Sequence, residues 1–196
     1  MESFSDGVIA ILITIMVFDI KPPAGADFSA LRSLVPLLLT YLMSFVYLAI
    51  YWNNHHHMLQ MTDCVTGGIL WANLHLLFRL SLMPFATHWL QSSHFAPIPV
   101  LVYGTILLLA AMAFLILQSV IIRAHGPAGR LAVAVGARAR EVASVFLYAV
   151  AMAIAVFAPL VSVVIYAFVA LMWLNPDRRI ESKLDAYSNM AKLKRH

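Results

Sequence analysis

Six apolar runs, each bounded by polar residues, proline or glycine, leave this chain few ways to fold. The first covers about residues 4–20 and stops at Lys21-Pro22-Pro23. The second covers about 34–51 and leads into Trp52-Asn53-Asn54-His55-His56-His57. The third and fourth take up about 65–90 and 100–122. A fifth runs from about 142 to Ala158, where Pro159 interrupts it, and a sixth continues to about Leu174. A membrane-crossing helix needs about 20 residues, so six of them nearly exhaust the 196 available. Only 11% of residues are charged and 62% are hydrophobic, whereas a soluble domain carries about a quarter charged residues. Lipid must be part of the solvent. The expected fold class is all-α and integral to the membrane, with six transmembrane helices per chain in a single repeat occupying 1–180, and a polar cytoplasmic tail over 181–196.

The cations set the orientation. With six spans both termini share a side with the second and fourth connections. That side collects Arg123, Arg130, Arg138, Arg140, Arg178, Arg179, Lys183, Lys192, Lys194 and Arg195, leaving Lys21 and Arg32 opposite. Positive charge is retained in the cytoplasm, so a multi-pass protein of the cell membrane with both termini inside is expected. Fusing the fifth and sixth runs would split these cations across the bilayer. The same clustering beside apolar runs assigns the net charge of +4 to orientation and anionic headgroups rather than to nucleic acid. A lone Cys64 leaves no intrachain disulfide and no cysteine-based metal centre. The first run has no basic flank and carries Asp6, so it reads as a span rather than a cleaved signal. The Gly-, Ala- and Arg-rich stretch from Ala124 to Ala139 reads as a cytoplasmic linker or a short surface helix.

Polar residues inside apolar runs carry what chemistry there is. Ser5 and Asp6 open the first run, where either could cap the helix or gain from its positive end. Asp6 could equally face a watery vestibule or a partner helix, because intramembrane acids rarely face lipid. Gly7, Ala10 and Thr14 share one helical face, with Ile11, Ile15 and Phe18 on an adjacent stripe. Small residues on a face suit close helix packing. The same stripe also suits a pore with a bulky apolar constriction, and the residues alone leave both open. Neighbouring histidines point about 100° apart on a helix, so His55, His56 and His57 cannot all ligate one ion, and no metal or cofactor is expected. One or two of them are expected to hydrogen-bond Ser5 or Asp6. Arg79 needs a partner in lipid, and Asp6 or Asp19 are the candidates. Trp71, Trp89 and Trp173 read as interfacial anchors. There is no phosphate-binding glycine loop and no paired intramembrane carboxylates, so no enzyme is expected. The Thr-Val-Gly-Tyr-Gly filter that cages potassium in other channels is missing as well.

The ordered set Phe4-Ser5-Asp6-Gly7, Asp19-Ile20-Lys21-Pro22, Trp52-Asn53-Asn54-His55-His56, Leu82-Met83-Pro84-Phe85-Ala86-Thr87, Tyr103-Gly104 and Trp173-Leu174-Asn175-Pro176-Asp177-Arg178-Arg179-Ile180-Glu181 resembles the prokaryotic branch of the transmembrane protein 175 family of lysosomal-type potassium channels. The resemblance implies a homotetramer of six-helix subunits around a central pore lined by the first helices, with potassium ions as the permeating species. On this sequence it places Ile11 at the main hydrophobic constriction, continues it through Ile15 and Phe18, and makes Thr14 the hydroxyl layer linked to selectivity. It makes Phe4, Ser5 and Asp6 the signature motif, held by Trp52, His55 and His56. The family pattern also carries an Arg four residues before the Phe, one position ahead of Met1. The given start is thus expected either to be cut short or to hold the motif without that cation. Phe18 is bulkier than the family's usual aliphatic residue.

The expected function is a passive, potassium-selective leak-type channel. Three other readings compete with it. A proton- or cation-coupled transporter would use Asp6, His55 and His56 as a relay, and a membrane metalloenzyme would use the histidine run. A purely structural subunit would conduct nothing.

Overall fold

The computed structural model of the protein describes residues 1–23, 25, 27–62, 64–126, 129, 131–132 and 139–174. All secondary structure among these is helical, and every apolar run of the sequence lies in helix. The elements are α1 (Glu2–Phe18), α2 (Phe28–Ser33), α3 (Val35–Gln60), α4 (Gly67–Leu80), α5 (Met83–Ser92), α6 (Pro97–His125), α7 (Ala139–Ala155) and α8 (Pro159–Leu174). Among the described residues three helical stretches are long and apolar enough to cross a membrane: Ala30–Gln60, Gly67–Ser92 and Pro97–His125, of 31, 26 and 29 residues. The expected tail over 181–196, and the parts of the Ala124–Ala139 stretch at 127–128, 130 and 133–138, lie outside the described residues.

Local chemistry explains most boundaries. Lys21-Pro22-Pro23 cannot continue α1 because proline lacks the N–H that the next turn requires. Asp27 Oδ1 accepts from the Ala30 amide at 3.0 Å and starts α2, a one-to-two-turn helix that the apolar pattern does not disclose. Thr66 caps α4 in the same way through the Ile69 amide. The third run is one span in sequence but two helices in space. Pro84 has no N–H to donate to the Leu80 carbonyl one turn back, and the helix is interrupted at Ser81-Leu82 between α4 and α5. In contrast, α3 runs on through all three histidines to Gln60, so the His run is the last part of a helix rather than a loop beyond one.

Pro159 acts more strongly. Ser162 Oγ donates to the Ala151 carbonyl at 2.7 Å, the Tyr148 and Tyr166 rings lie 6.3 Å apart, and Trp173 Nε1 donates to Ser144 Oγ at 2.8 Å. As one partner climbs in number the other falls, so α7 and α8 run antiparallel. The fifth and sixth runs are therefore a helical hairpin reversed at residues 156–158, and not one fused helix.

The core sits around α6, which packs against α4, α5, α7 and α8. Tyr103, Leu107, Ala110, Leu117 and Ile121 are fully buried at helical spacing along it. Helices of this kind hold together by close packing and by hydrogen bonds across them, since lipid offers no hydrophobic drive between them. A directed chain of hydroxyls does this where α3, α5 and α6 meet. Tyr103 Oη lies 3.0 Å from Ser44 Oγ, which is 2.7 Å from Thr87 Oγ1, which donates to the Met83 carbonyl at 2.7 Å. Because Thr87 has one proton and the carbonyl can only accept, Ser44 donates to Thr87 and Tyr103 donates to Ser44.

Candidate functional site

The first helix has two unlike sides. Ser5, Ile9, Leu12 and Met16, at steps of four, three and four, are buried against the helices that α1 packs on, namely α3, α4 and α5. On the opposite side Phe4, Gly7, Ile11, Thr14 and Phe18 repeat at steps of three and four and are all exposed. Ile15 and Val17 flank them, and Ile11 and Phe18 leave 57% and 82% of their surface uncovered. Every sequence-predicted constriction residue (Ile11, Thr14, Ile15 and Phe18) thus lies on the unpartnered side of α1. The Thr14 hydroxyl donates to the Ile11 carbonyl at 2.9 Å. Its proton is therefore committed to backbone, and what Thr14 turns outward is an oxygen able to accept or to meet a cation.

At its opening α1 is tied to the rest of the chain by two separate sets of bonds. The buried set is a relay across three helices. His55 Nε2 is 2.7 Å from Asn73 Oδ1, Asn73 Nδ2 donates to Ser5 Oγ at 2.9 Å, and Ser5 Oγ donates to the Met1 carbonyl at 3.2 Å. In this arrangement the His55 proton sits on Nε2, and its Nδ1 is buried without a hydrogen-bond partner. The outer set is charged. Trp52 Nε1 donates to Asp6 Oδ1 at 2.9 Å, and His56 stacks on Trp52 with ring centres 5.6 Å apart. His56 Nδ1 lies 3.0 Å from Glu2 Oε1 and 4.0 Å from Asp6 Oδ2, while Gln60 Nε2 meets its other nitrogen at 2.9 Å.

Several sequence expectations change here. Ser5 and Asp6 do not cap α1, because the helix already begins at Glu2 and their side chains lie inside its first turns. His55 reaches Ser5 only through Asn73, and the nearest acid to His56 is Glu2 rather than Asp6. A single Asp6–His55–His56 relay is therefore not formed: His55 belongs to the buried set, and the other two to the outer one. Arg79 pairs with neither expected acid. Its Nε donates to His75 Nε2 at 3.2 Å one turn earlier, and its guanidinium lies 5.4 Å from the Phe78 ring centre. Asp19 instead faces His88 at 3.5 Å. Phe4, grouped with Ser5 and Asp6 by the motif, points to the opposite, exposed side.

Asn73, Glu2 and Gln60 are participants to which the sequence alone assigned no role. A signal for Asn73 was present, since an amide inside an apolar helix must find partners within the protein. Ligand atoms of Glu2, Asp6 and His56 fall within 4.8 Å of one another, close enough to share a cation, while His55 and His57 stand outside that group. Removing the indole bond from the outer set has a measurable consequence. Trp52→Phe is expected to lower thermal stability by about 1 kcal/mol, the worth of one hydrogen bond to a charged, partly exposed acceptor. Unchanged melting of the purified variant would mean that the Trp52–Asp6 contact holds nothing.

Comparison with known proteins bears on the same residues. The family model described as endosomal/lysosomal potassium channel TMEM175 matches residues 1–84, which contain α1 and both sets of bonds that anchor it. A protein of Chryseobacterium sp. (strain P1-3) named a potassium channel is 49% identical over 184 residues, 94% of this chain and 96% of its own length. Another so named, from Streptomyces collinus, is 31% identical over 121 residues, 58% of this chain and 59% of its own. The crystal structure of a lysosomal potassium-selective channel TMEM175 homolog from Chamaesiphon minutus superposes with a TM-score of 0.71 at 28% identity, covering 88% of this chain and 94% of that one. With an anchored first helix, a near-full-length relative and a shared fold, this chain belongs to the TMEM175 family.

Proposed function

We propose that the protein is a potassium-selective channel of the passive, leak type, built as a homotetramer of six-span subunits whose α1 helices line one central pore. The observation that carries this reading is the division of α1 into an anchored side and a bare side, in a chain of this family. A helix bound into its own subunit on one side, with a regular apolar stripe on the other, is suited to stand at an axis shared with copies of itself. Four copies would bring four Ile11 side chains into a ring and stack Ile15 and Phe18 beside it. Such a ring excludes bulk water, so an ion must shed part of its hydration to pass. Sodium, the smaller ion, holds its water more tightly and meets the higher barrier. Thr14 supplies oxygens next to the ring, already oriented by their bond to backbone. No covalent chemistry and no cofactor enter; potassium is the cargo. In this topology both termini and the outer Glu2–Asp6–His56 cluster are cytoplasmic, with the cluster at the pore mouth, and the protein resides in the cell membrane.

Ion flux into liposomes carrying the purified protein tests this reading, with potassium and sodium measured in parallel. Potassium flux is expected to exceed sodium flux. Ile11→Asn should change the potassium rate by roughly ten-fold, equivalent to about 1.4 kcal/mol of barrier. The same change at Val164, on the exposed side of α8, should leave the rate within about two-fold, since that side does not line the pore. Parent-like conduction by Ile11→Asn would remove Ile11 from the pore. The absence of flux for either ion would favour a coupled transporter or a structural subunit.

A further inference from the structure

A second site is built on helices that carry no part of the proposed pore. Between α3, α6, α7 and α8 lies a cleft with about 470 Å³ of free space, counted to its open mouth, and none of its lining residues is on α1. Its walls include the rings of Tyr47, Tyr51, Phe114, Tyr148 and Trp173, and the one carboxylate among its described lining residues is Glu141. The rings are held in place by one another and by their polar ends. Tyr51 meets Phe114 edge-on at 6.1 Å and Tyr47 meets Tyr148 at 6.4 Å. The Tyr47 hydroxyl donates to the Tyr166 carbonyl at 2.6 Å and the Trp173 indole to Ser144 at 2.8 Å. With those donors engaged inside the protein, the rings turn mainly hydrocarbon and π surface to the cleft. Glu141 is half-buried and has no ion pair or hydrogen bond among the described residues. Its place in the first turn of α7 is favourable for an acid in any case, but that does not account for five aromatic rings converging beside it.

The lining chooses the ligand by exclusion. An anion would meet the Glu141 carboxylate with no Lys, Arg or His among the described lining residues to oppose it. A bare alkali cation needs a shell of oxygens in place of its water, and beside Glu141 only Asn54, Ser144 and the tyrosine hydroxyls bring oxygen to this mostly apolar wall. A neutral apolar molecule would leave the carboxylate without a counter-charge. We infer that this cleft binds an alkylammonium group, its carbons against the rings through cation–π contact and its charge balanced by Glu141. Two sources share that chemistry: a free amine of the cytoplasm, and the headgroup of an aminophospholipid. Both fit the depth, since Trp173 ends α8 and Glu141 opens α7 at what the proposed topology makes the headgroup level. The site does not depend on α1 lining a pore, and its test does not use flux.

Thermal unfolding of the full chain in detergent reports binding, because a ligand that binds only the folded form raises the melting temperature in step with the logarithm of its concentration once that exceeds Kd. Choline is titrated at constant ionic strength against 3,3-dimethyl-1-butanol, its uncharged isostere. In a second arm, phosphatidylethanolamine is compared with phosphatidylglycerol of the same chains. A concentration-dependent rise with choline and with phosphatidylethanolamine, and none with the isostere or phosphatidylglycerol, is expected. A rise with choline alone identifies a free amine as the occupant, and a rise with phosphatidylethanolamine alone identifies the lipid. Glu141→Gln should weaken the effective ligand by about ten-fold or more, the loss of one charge-assisted contact, while Glu141→Asp retains part of the effect. Equal shifts from choline and its isostere, or no concentration-dependent shift from any of the four, would overturn the assignment on the unmodified protein. So would parent-like binding by Glu141→Gln.

Discussion

Asn73→Leu is expected to lower the stability of the purified protein by about 2–3 kcal/mol, the largest loss of any single change in the candidate site. Intramembrane side-chain hydrogen bonds average only ~0.6 kcal/mol in double-mutant cycles, with a maximum of about 1.7. Asn73 exceeds one such bond because it serves two partners at once. Leucine would leave the His55 N–H, on a residue that is fully buried, without an acceptor, and would take from Ser5 the donor it now has. An unpaired buried donor costs about 1–3 kcal/mol by itself. For a chain of this size the melting temperature should fall by roughly 5–10 °C. The double variant His55→Leu/Asn73→Leu distinguishes a broken network from mere bulk. It removes the stranded donor along with its partner, so it should cost clearly less than the sum of the two single changes. Simple additivity would mean that His55 and Asn73 are not coupled. Because this relay ties the opening of α1 to α3 and α4, the same variants should also disturb potassium flux in the liposome assay.

Gly104→Ala is expected to cost about as much, for a steric reason. A Cβ at this position would stand 2.6 Å from Tyr166 Cζ, closer still to its hydroxyl oxygen, and 3.1 Å from Met152 Cγ. Tyr166 cannot swing aside cheaply. It is fully buried, its hydroxyl donates to the Val100 carbonyl at 3.3 Å, and its ring packs between Tyr103 and Tyr148. Overpacking of this kind costs about 1–3 kcal/mol, and here the upper end applies, with a melting temperature lower by roughly 6–12 °C. Tyr166→Phe supplies the internal check. Alone, it loses a long hydrogen bond and should be mildly destabilising. Combined with Gly104→Ala it removes the nearest clashing atom and should raise stability above that of Gly104→Ala. If Tyr166→Phe has the same sign in both backgrounds, close approach is not what this glycine provides.

The two positions show different degrees of legibility. Asn73 was visible as a polar residue in an apolar run, and the rule that it must find a partner inside the protein was available. Which partner was not, since Ser5 and His55 stand 68 and 18 residues away and only the packing of α1, α3 and α4 brings them together. Gly104 was visible as part of a motif but gave no hint of Tyr166 on α8. Arg79 misled for the same reason. Its expected acids were plausible by charge, yet one turn of α4 already offers His75, and the acids are engaged with Trp52, His56 and His88.

What the residues determine unaided is whatever depends on solvent and on neighbours along the chain. Apolar runs of span length dictate helices in lipid, because each backbone N–H and C=O must be satisfied within its own segment. Proline at 22, 23, 84 and 159 dictates where those helices stop, bend or reverse. Steps of three and four along α1 dictate that Gly7, Ala10 and Thr14 share one face, with Ile11, Ile15 and Phe18 on the stripe beside it. None of this says which stripe is bare. That was decided by tertiary structure alone, because α1 is apolar nearly all round and only the packing of Ile9, Leu12 and Met16 into the bundle breaks the symmetry. The division of the histidines between a buried relay and a charged cluster was decided the same way. Adjacent side chains on one helix face different neighbours, and a linear sequence does not name them.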